Sequence, residues 1–292
     1  MACIRLMRPA NIVTSVADVL AGITISGFFS RYETNANQEL PVVLLCISTI
    51  GLYGGGVVFN DVFDAALDAV ERPERPIPSG LVTQKQASVL GILLLFVGIA
   101  GALLAGPAPG VISISISAAA LIYDKWGKHH SLLGPLNMGI CRGLNLLLGI
   151  SILTQSLSSW WFLALIPVIY IASITMISRG EVHGGGKPLL YAASLLYLLV
   201  IGCVLYFART KQTILPAMLF LLLFGWMIFK PLFSAIRQPS GKNIGKAVKA
   251  GVIALIILDA SLTAAFDSLF MALGILLLLP VSWGLSRLFA VT

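Results

Sequence analysis

Apolar runs of about 18 to 25 residues recur along the whole sequence, and a helix of about 20 residues crosses a roughly 30 Å hydrocarbon layer. Within each run the apolar residues are continuous rather than alternating with polar ones, so the pattern favours helices over the strands of a closed barrel. The last pair of runs could instead form one broken unit, which would give nine spans rather than ten. The predicted segments are residues 9–30, 41–63, 85–106, 109–124, 132–154, 159–178, 187–208, 213–236, 247–264 and 268–289.

The composition also indicates a membrane protein. Of the 292 residues, 58% are hydrophobic and 11% are charged, and the mean hydropathy is +0.96. In a soluble domain about 25% of the residues are charged. The first run contains Asn11 and Asp18 and lacks a small-residue cleavage site, so we interpret it as a retained helix rather than a signal peptide. We predict an all-α, polytopic membrane protein with a single domain over residues 1–292.

The basic residues predict how the helices are oriented. Lys and Arg concentrate in cytosolic loops. With the N-terminus placed inside, fifteen basic residues fall on the inner side, and only Arg31, Arg209 and Lys211 fall on the outer side. Both termini and the longer loops are therefore expected in the cytosol. The basic residues that give the net charge of +7 lie between the apolar runs, so we expect them to set topology and expect no nucleic acid partner.

The end of the second predicted helix carries an unusual concentration of acid. Asp61, Asp64 and Asp68 are spaced three and then four residues apart, which places them on one face of a helix. Like charges at this spacing repel one another, and Mg²⁺ removes that penalty because it prefers carboxylates together with phosphate oxygens and water. A solvated acidic helix end is the alternative interpretation. The segment that follows favours the metal site.

That following segment, residues 69–80, is both basic and rigid. Three prolines restrict its backbone, and the guanidinium groups of Arg72 and Arg75 offer the forked donors that suit phosphate. Acid, metal and arginine together predict a site for a diphosphate.

These residues resemble a known family. Asn60-Asp61-x-x-Asp64-x-x-x-Asp68, followed by Arg75-Pro76-Ile77-Pro78-Ser79-Gly80, is similar to the first aspartate-rich motif of the UbiA superfamily of intramembrane prenyltransferases. Arg8-Pro9-x-Asn11 resembles the start of the family's first helix. Tyr123-Asp124-Lys125-Trp126-Gly127-Lys128, with Asn137 after it, also matches, so the resemblance covers essentially the whole chain.

The resemblance implies a helical bundle around a central cavity, in which an isoprenyl group passes from its diphosphate to a lipophilic acceptor, aromatic compounds included, with Mg²⁺ as cofactor. It implies that Asp61, Asp64 and Asp68 hold the metal and are catalytic. By the same implication, the diphosphate is bound by Asn11, Asn60, Arg75, Lys128 and Asn137. The lipid bilayer is the third partner.

The family's second acidic motif is reduced here. Residues 177–187 contain a single carboxylate, Glu181, which we retain as a catalytic candidate, and Arg179 and Lys187 could contact phosphate in place of a second metal. An ordinary positively charged loop with a glycine hinge is equally compatible. This stretch and residues 134–145 are similar to the divergent UbiA-like EboC proteins, which implies bacterial secondary metabolism in a bacterial cell membrane. The reduced motif leaves an alternative function: a non-catalytic protein that binds a metabolite precursor or helps to export it.

Polar residues inside the predicted helices are further candidates. Arg142 in a hydrocarbon layer is costly and is expected to line a cavity or to pair with a carboxylate, for which Asp18 is the candidate. Asn145 and Tyr123 are predicted to line the cavity with it. A secondary transporter would instead place its polar sites at the midplane on broken helices, whereas most of the motif residues here belong to one membrane face.

Overall fold

The computed structural model describes residues 2–31, 39–127, 130, 133–181, 186–266 and 268–289. Every regular element within these ranges is helical, which confirms the all-α prediction. The helices are α1 (Ala2–Met7), α2 (Pro9–Ile25), α3 (Phe28–Arg31), α4 (Glu39–Phe63), α5 (Ala65–Glu71), α6 (Gln84–Ala105), α7 (Pro107–Lys125), α8 (Leu133–Ile150), α9 (Thr154–Trp160), α10 (Leu165–Ser178), α11 (Lys187–Thr210), α12 (Ile214–Arg237), α13 (Gly241–Ala265), α14 (Leu269–Leu276) and α15 (Leu278–Leu288).

Eight helical stretches in the described part of the chain are long and apolar enough to cross a membrane. A short 3-10 turn joins α9 to α10, and the two count as one stretch, as do α14 and α15. The shorter apolar helix α2 and the arginine-containing α8 occupy the two remaining predicted segments. All ten predicted segments are therefore helical, and the chain is a multi-pass integral membrane protein.

Two differences from the predicted helices bear on the site. The acidic helix is interrupted at Asp64, where α4 ends and α5 begins, although the amide of Asp68 still donates to the carbonyl of Asp64 at 2.8 Å. The three aspartates are therefore not on one face of one regular helix. Helix α13 begins six residues earlier than predicted, since Ser240 caps it by accepting a hydrogen bond from the amide of Asn243 at 3.4 Å. The first turns of α13 contain lysines, so a pattern of continuous apolar residues does not assign these turns to the helix.

Helix α13 forms the centre of the C-terminal half of the bundle. In its most apolar window, 83% of the residues are buried, whereas the other spanning stretches are buried to 50% or less. It packs against α2, α10, α11, α12 and α14, and their apolar side chains form the largest core. The outer helices turn wide apolar faces outward, as lipid contact requires.

Glycines allow α2 and α8 to approach closely. A Cβ atom added at Gly149 would meet the backbone of α2, including the Cα of Gly22 at 3.0 Å. Such close backbone approach is typical of small residues at helix interfaces in membranes. The crossing fixes α2 against α8, and both helices contribute motif residues to one end of the bundle.

Candidate functional site

A cavity of about 600 Å³ opens at the face of the bundle where α2 begins, α4 ends and α13 begins. Its lining is strongly charged and draws on both the N-terminal and the C-terminal halves of the chain. Five of the lining side chains are basic, and three are acidic. They are Arg5, Arg8, Asp61, Arg72, Glu74, Arg75, Pro76, Glu181, Gly241, Lys242, Gly245, Leu288 and Phe289.

Asp61 lies in the last turn of α4 and is buried at the cavity wall, with 4% exposure. Nη2 of Arg8 donates to Asp61 Oδ1 at 2.8 Å. Arg8 joins α1 to α2 in a left-handed conformation (φ 49°), which is uncommon for a residue other than glycine. This bend, enforced just before Pro9 begins α2, aims the guanidinium at Asp61.

Arg75 contacts two aspartates with one nitrogen. Its Nη1 donates to Asp68 Oδ2 at 2.7 Å and lies 3.4 Å from Asp61 Oδ1. The proline-rich loop holds Arg75 in place, because the carbonyl of Arg75 accepts a hydrogen bond from the amide of Ser79 at 3.0 Å. The carboxylates of Asp61 in α4 and Asp68 in α5 therefore converge on one position, which the positively charged Arg75 nitrogen occupies.

This convergence bears on whether magnesium fits the site. The hard oxygen donors of Asp61 and Asp68 suit Mg²⁺, and they already share one positively charged atom. Within the described residues, no three His, Cys, Asp or Glu side chains come together as a complete ligand set. Asp64, at the break between α4 and α5, is half-buried. The donor set thus fits a metal held by two carboxylates and completed by ligand oxygens, and the predicted three-aspartate site stays a prediction.

Asn60 points toward residues 123–128, the second segment that resembles the family. Its Nδ2 donates to Asp124 Oδ1 at 3.0 Å, which ties the end of α4 to the end of α7. Asp124 is itself buried, with 4% exposure. Asn60 therefore joins the two segments, and its predicted contact with diphosphate is untested.

Glu181 reaches the same cavity as Asp61, although 120 residues of sequence separate the two motifs. Its carboxylate faces the first turns of α13, where a Cβ added at Gly245 would lie 3.5 Å from Oε1. Burial raises the pKa of Glu181 above its ordinary value, and the nearby Arg72 guanidinium partly offsets that rise. The fold thus brings the reduced second motif beside the first.

The other predicted diphosphate contacts are more dispersed. Asn11 is buried in the first turn of α2, and Asn137 is half-buried in the first turn of α8. Arg179 is exposed and donates to the carbonyl of His130 at 2.8 Å, and Lys187 is exposed at the start of α11. None of these four lines the cavity. Lys128 lies outside the described residues.

Several cavity residues were not singled out as site residues from the sequence. From the sequence, Arg5 and Lys242 served only to predict the topology. Arg8 served for the topology and as part of a motif, and Arg72 was considered only as part of the basic loop. The cluster Arg5-x-x-Arg8 before Pro9 was an available signal, because it places two guanidinium groups close together just before the first long helix, although Arg8 lies beyond the end of α1. No sequence signal brings Lys242 to this site, since its position depends on how α13 packs.

Arg142 and Asn145 lie deeper in the bundle. Arg142 Nε pairs with Asp18 Oδ2 at 2.7 Å, which confirms the predicted partner. Asn145 Nδ2 donates to the same oxygen at 2.9 Å. Tyr123 is half-buried near Asp64. None of the three predicted cavity residues lines the charged cavity, and a role along a prenyl chain stays a prediction for them.

A comparison with protein families identifies the family to which this fold and site belong. The UbiA prenyltransferase family matches residues 20–249, which is most of the chain and includes both motifs. The chain belongs to the UbiA prenyltransferase family. The superfamily prediction is confirmed, while the EboC branch stays a prediction.

Among individual relatives, two archaeal digeranylgeranylglyceryl phosphate synthases are similar to this chain. The protein of Methanothermobacter thermautotrophicus is 32% identical over 147 residues, which is 50% of this chain and 49% of that protein. The protein of Sulfurisphaera tokodaii is 27% identical over 194 residues, which is 63% of this chain and 67% of that protein. The chain spans about half the length of the first of these relatives.

Solved structures share the fold at low identity. A UbiA homologue from Aeropyrum pernix K1 in its apo form superposes with a TM-score of 0.70 at 18% identity and covers 86% of this chain and 96% of that chain. A homologue from Archaeoglobus fulgidus bound to DMAPP and Mg²⁺ gives a TM-score of 0.63 at 14% identity, covering 87% and 99%. The family fold is therefore shared across nearly the whole described bundle.

Proposed function

We propose that the chain transfers an isoprenyl group from an isoprenyl diphosphate to a lipophilic acceptor within the membrane, with Mg²⁺. The observation that carries the proposal is the charged cavity, where Asp61 and five basic side chains meet at one end of the bundle. Family membership and the DMAPP and Mg²⁺ named for an Archaeoglobus fulgidus homologue support it.

The roles of the residues follow from their chemistry. Arg75 and Arg8 provide forked donors for diphosphate oxygens, and Asp61 and Asp68, with Asp64 beside them, would hold the metal. When bound, Mg²⁺ supplies positive charge against the leaving diphosphate. The carbon–oxygen bond breaks, its electron pair leaves with the diphosphate, and the acceptor forms the new bond and releases a proton.

The bacterial cell membrane and secondary metabolism rest on the resemblance to EboC proteins. The lipophilic acceptor rests on the resemblance to the superfamily, and the cytosolic motif loops rest on the distribution of Lys and Arg. The positive residues around the cavity agree with a cytosolic face. The relatives named as digeranylgeranylglyceryl phosphate synthases favour an archaeal-type lipid acceptor as the competing choice.

The test is diphosphate release from purified protein in lipid nanodiscs, supplied with DMAPP or longer isoprenyl diphosphates and with either an aromatic or a glyceryl phosphate acceptor. We expect release only when an acceptor and Mg²⁺ are both present, and expect it to stop when EDTA is added. The prenylated product identifies the acceptor class.

The second candidate function is binding without turnover, favoured by the single carboxylate of the second motif. It predicts that labelled isoprenyl diphosphate stays bound and intact in the same assay. Release of diphosphate with any acceptor would exclude it, and retention with every acceptor would exclude the enzyme.

A further inference from the structure

A second polar cluster lies inside the bundle, away from the charged cavity. Asp18 of α2, Arg142 of α8 and Asp259 of α13 are each at most 5% exposed. Arg142 pairs with Asp18 at 2.7 Å, and its Nη2 donates to Thr14 Oγ1 at 2.6 Å. Asn145 adds a donor to Asp18 at 2.9 Å. Asp18 thus has the contacts of an ionised carboxylate.

The charges of this cluster do not balance if both carboxyl groups are ionised. Among the described residues, Arg142 is the only basic side chain that pairs with either aspartate. Asp259 faces Asp18 from α13, and Asp18 Oδ1 and Asp259 Oδ2 are both buried without a hydrogen-bond donor among the described residues. A contact between two carboxylates contains no hydrogen, and a net negative charge in a membrane interior is costly.

The remaining neighbours do not supply the missing hydrogen. The ring of Tyr53 stacks on Arg142 at 5.6 Å and offers only its face. Tyr170 donates its hydroxyl hydrogen to the carbonyl of Gly251 at 2.8 Å. The hydrogen between the aspartates must therefore belong to one of them.

We propose that Asp18 and Asp259 form a proton-binding site in the membrane interior, in which Asp259 holds the proton and donates it to the Asp18 carboxylate. The ligand is a proton rather than a metal cation, because one hydrogen between the two carboxyl groups satisfies both oxygens, whereas the described residues bring no third carboxylate, histidine or cysteine to the pair. The site joins α2, α8 and α13, whose ends carry Arg8, Asn137 and Lys242 at the motif face.

The proposal assigns the proton to Asp259 and the negative charge to Asp18. Substituting each aspartate by asparagine, which has the same shape, tests this difference. Asp259→Asn keeps a donor toward Asp18, so its Tm is expected to stay within about 3 °C of the unchanged protein. Asp18→Asn leaves Arg142 without a counterion, so its Tm is expected to fall by about 10 °C. Thr263→Val, one turn along α13 at a hydroxyl without a partner, is the matched control. Equal losses for the two amides would overturn the proposal.

Infrared spectroscopy gives a readout that does not depend on Asp18→Asn folding. The unchanged protein at neutral pH should show the carbonyl stretch of a buried protonated carboxyl group, and Asp259→Asn should lose it while Thr263→Val keeps it. A spectrum without this band, or one in which the band survives Asp259→Asn, contradicts the proposal. A Tm that rises with Na⁺ but not with K⁺ at constant pH would identify a bound cation and overturn it as well.

Discussion

Arg75 binds Asp68 through Nη1 at 2.7 Å, so the side chain predicted to hold diphosphate neutralises a side chain predicted to hold the metal. The same nitrogen lies 3.4 Å from Asp61. Under the proposed function, binding of diphosphate with Mg²⁺ would exchange these partners: Arg75 would turn from carboxylate to phosphate, and Asp61 and Asp68 would hold the metal.

This exchange predicts how Arg75→Ala responds to magnesium. Without Mg²⁺, loss of the guanidinium leaves Asp68 without its basic partner and Asp61 with Arg8 alone, and we expect the Tm to fall by about 5 °C. Millimolar Mg²⁺ should restore most of that loss. Arg72→Ala removes the same charge from the same loop and is the control. A magnesium-dependent gain no larger in Arg75→Ala than in Arg72→Ala would show that the two aspartates do not converge on a cation.

The aspartates should be needed for turnover rather than for folding. Asp61→Asn, Asp64→Asn and Asp68→Asn keep the side-chain shape but lose the charge, and we expect each to lower diphosphate release by about 100-fold or more, because charge stabilisation of the leaving group is lost. Glu71→Gln, an exposed carboxylate on the same short helix α5 as Asp68, should retain full activity. Full activity in any of the three aspartate variants would remove that residue from the metal site.

The raised pKa of Glu181 gives a pH dependence. Because burial favours the neutral acid, Glu181 takes up its proton at a higher pH than a solvated glutamate does, and the cavity then loses a negative charge. The folded protein is correspondingly stabilised as the pH falls through this raised pKa, and the contribution is lost as the pH rises through it.

We therefore expect the affinity for isoprenyl diphosphate, measured without Mg²⁺, to increase as the pH is lowered toward this pKa. Glu181→Gln should bind a few-fold more tightly at neutral pH and should lose that part of the pH dependence. The ligand's own titration is common to both proteins and cancels in the comparison. Identical pH profiles for the two would separate Glu181 from the diphosphate site.

The contact between α2 and α8 predicts a contrast between two glycines. Gly149→Ala places a methyl group against the backbone of α2, and we expect a Tm loss of about 5 °C or more because backbone cannot give way as a side chain can. Gly202→Ala, inside α11, meets nothing within 4 Å and should be neutral or slightly stabilising, since alanine favours a helix by about 1 kcal/mol. An unchanged Tm for Gly149→Ala would indicate that α2 and α8 are more loosely packed.

The sequence predicted those features that depend on neighbouring residues. Asp61, Asp68 and Arg75 fall within one short segment, so their proximity follows from the chain itself. The pairing of Arg142 with Asp18 was also predictable, because a cation in hydrocarbon must find a counterion and few carboxylates lie at that depth. The helical segments follow directly from hydropathy.

The remaining features depend on packing. Arg5, Lys242 and Glu181 reach one cavity from three separate parts of the chain, and no local pattern specifies which helix ends meet. The break at Asp64 was missed because spacing of three and four residues suits a continuous helix. The pairing of Asp259 with Asp18 was missed because α13 does not reveal from its own sequence that it becomes the central helix.

The central location of α13 has a consequence for how the protein is made. This helix emerges from the ribosome after almost all the others, yet it packs directly against α2, which is synthesised near the start. The contacts between α2 and α13 therefore form only after α13 has been synthesised, and until then Asp18 lacks its neighbour Asp259. A chain that stops before α13 cannot close its bundle, so quality-control proteases should remove it even though most of its spans are already in the membrane.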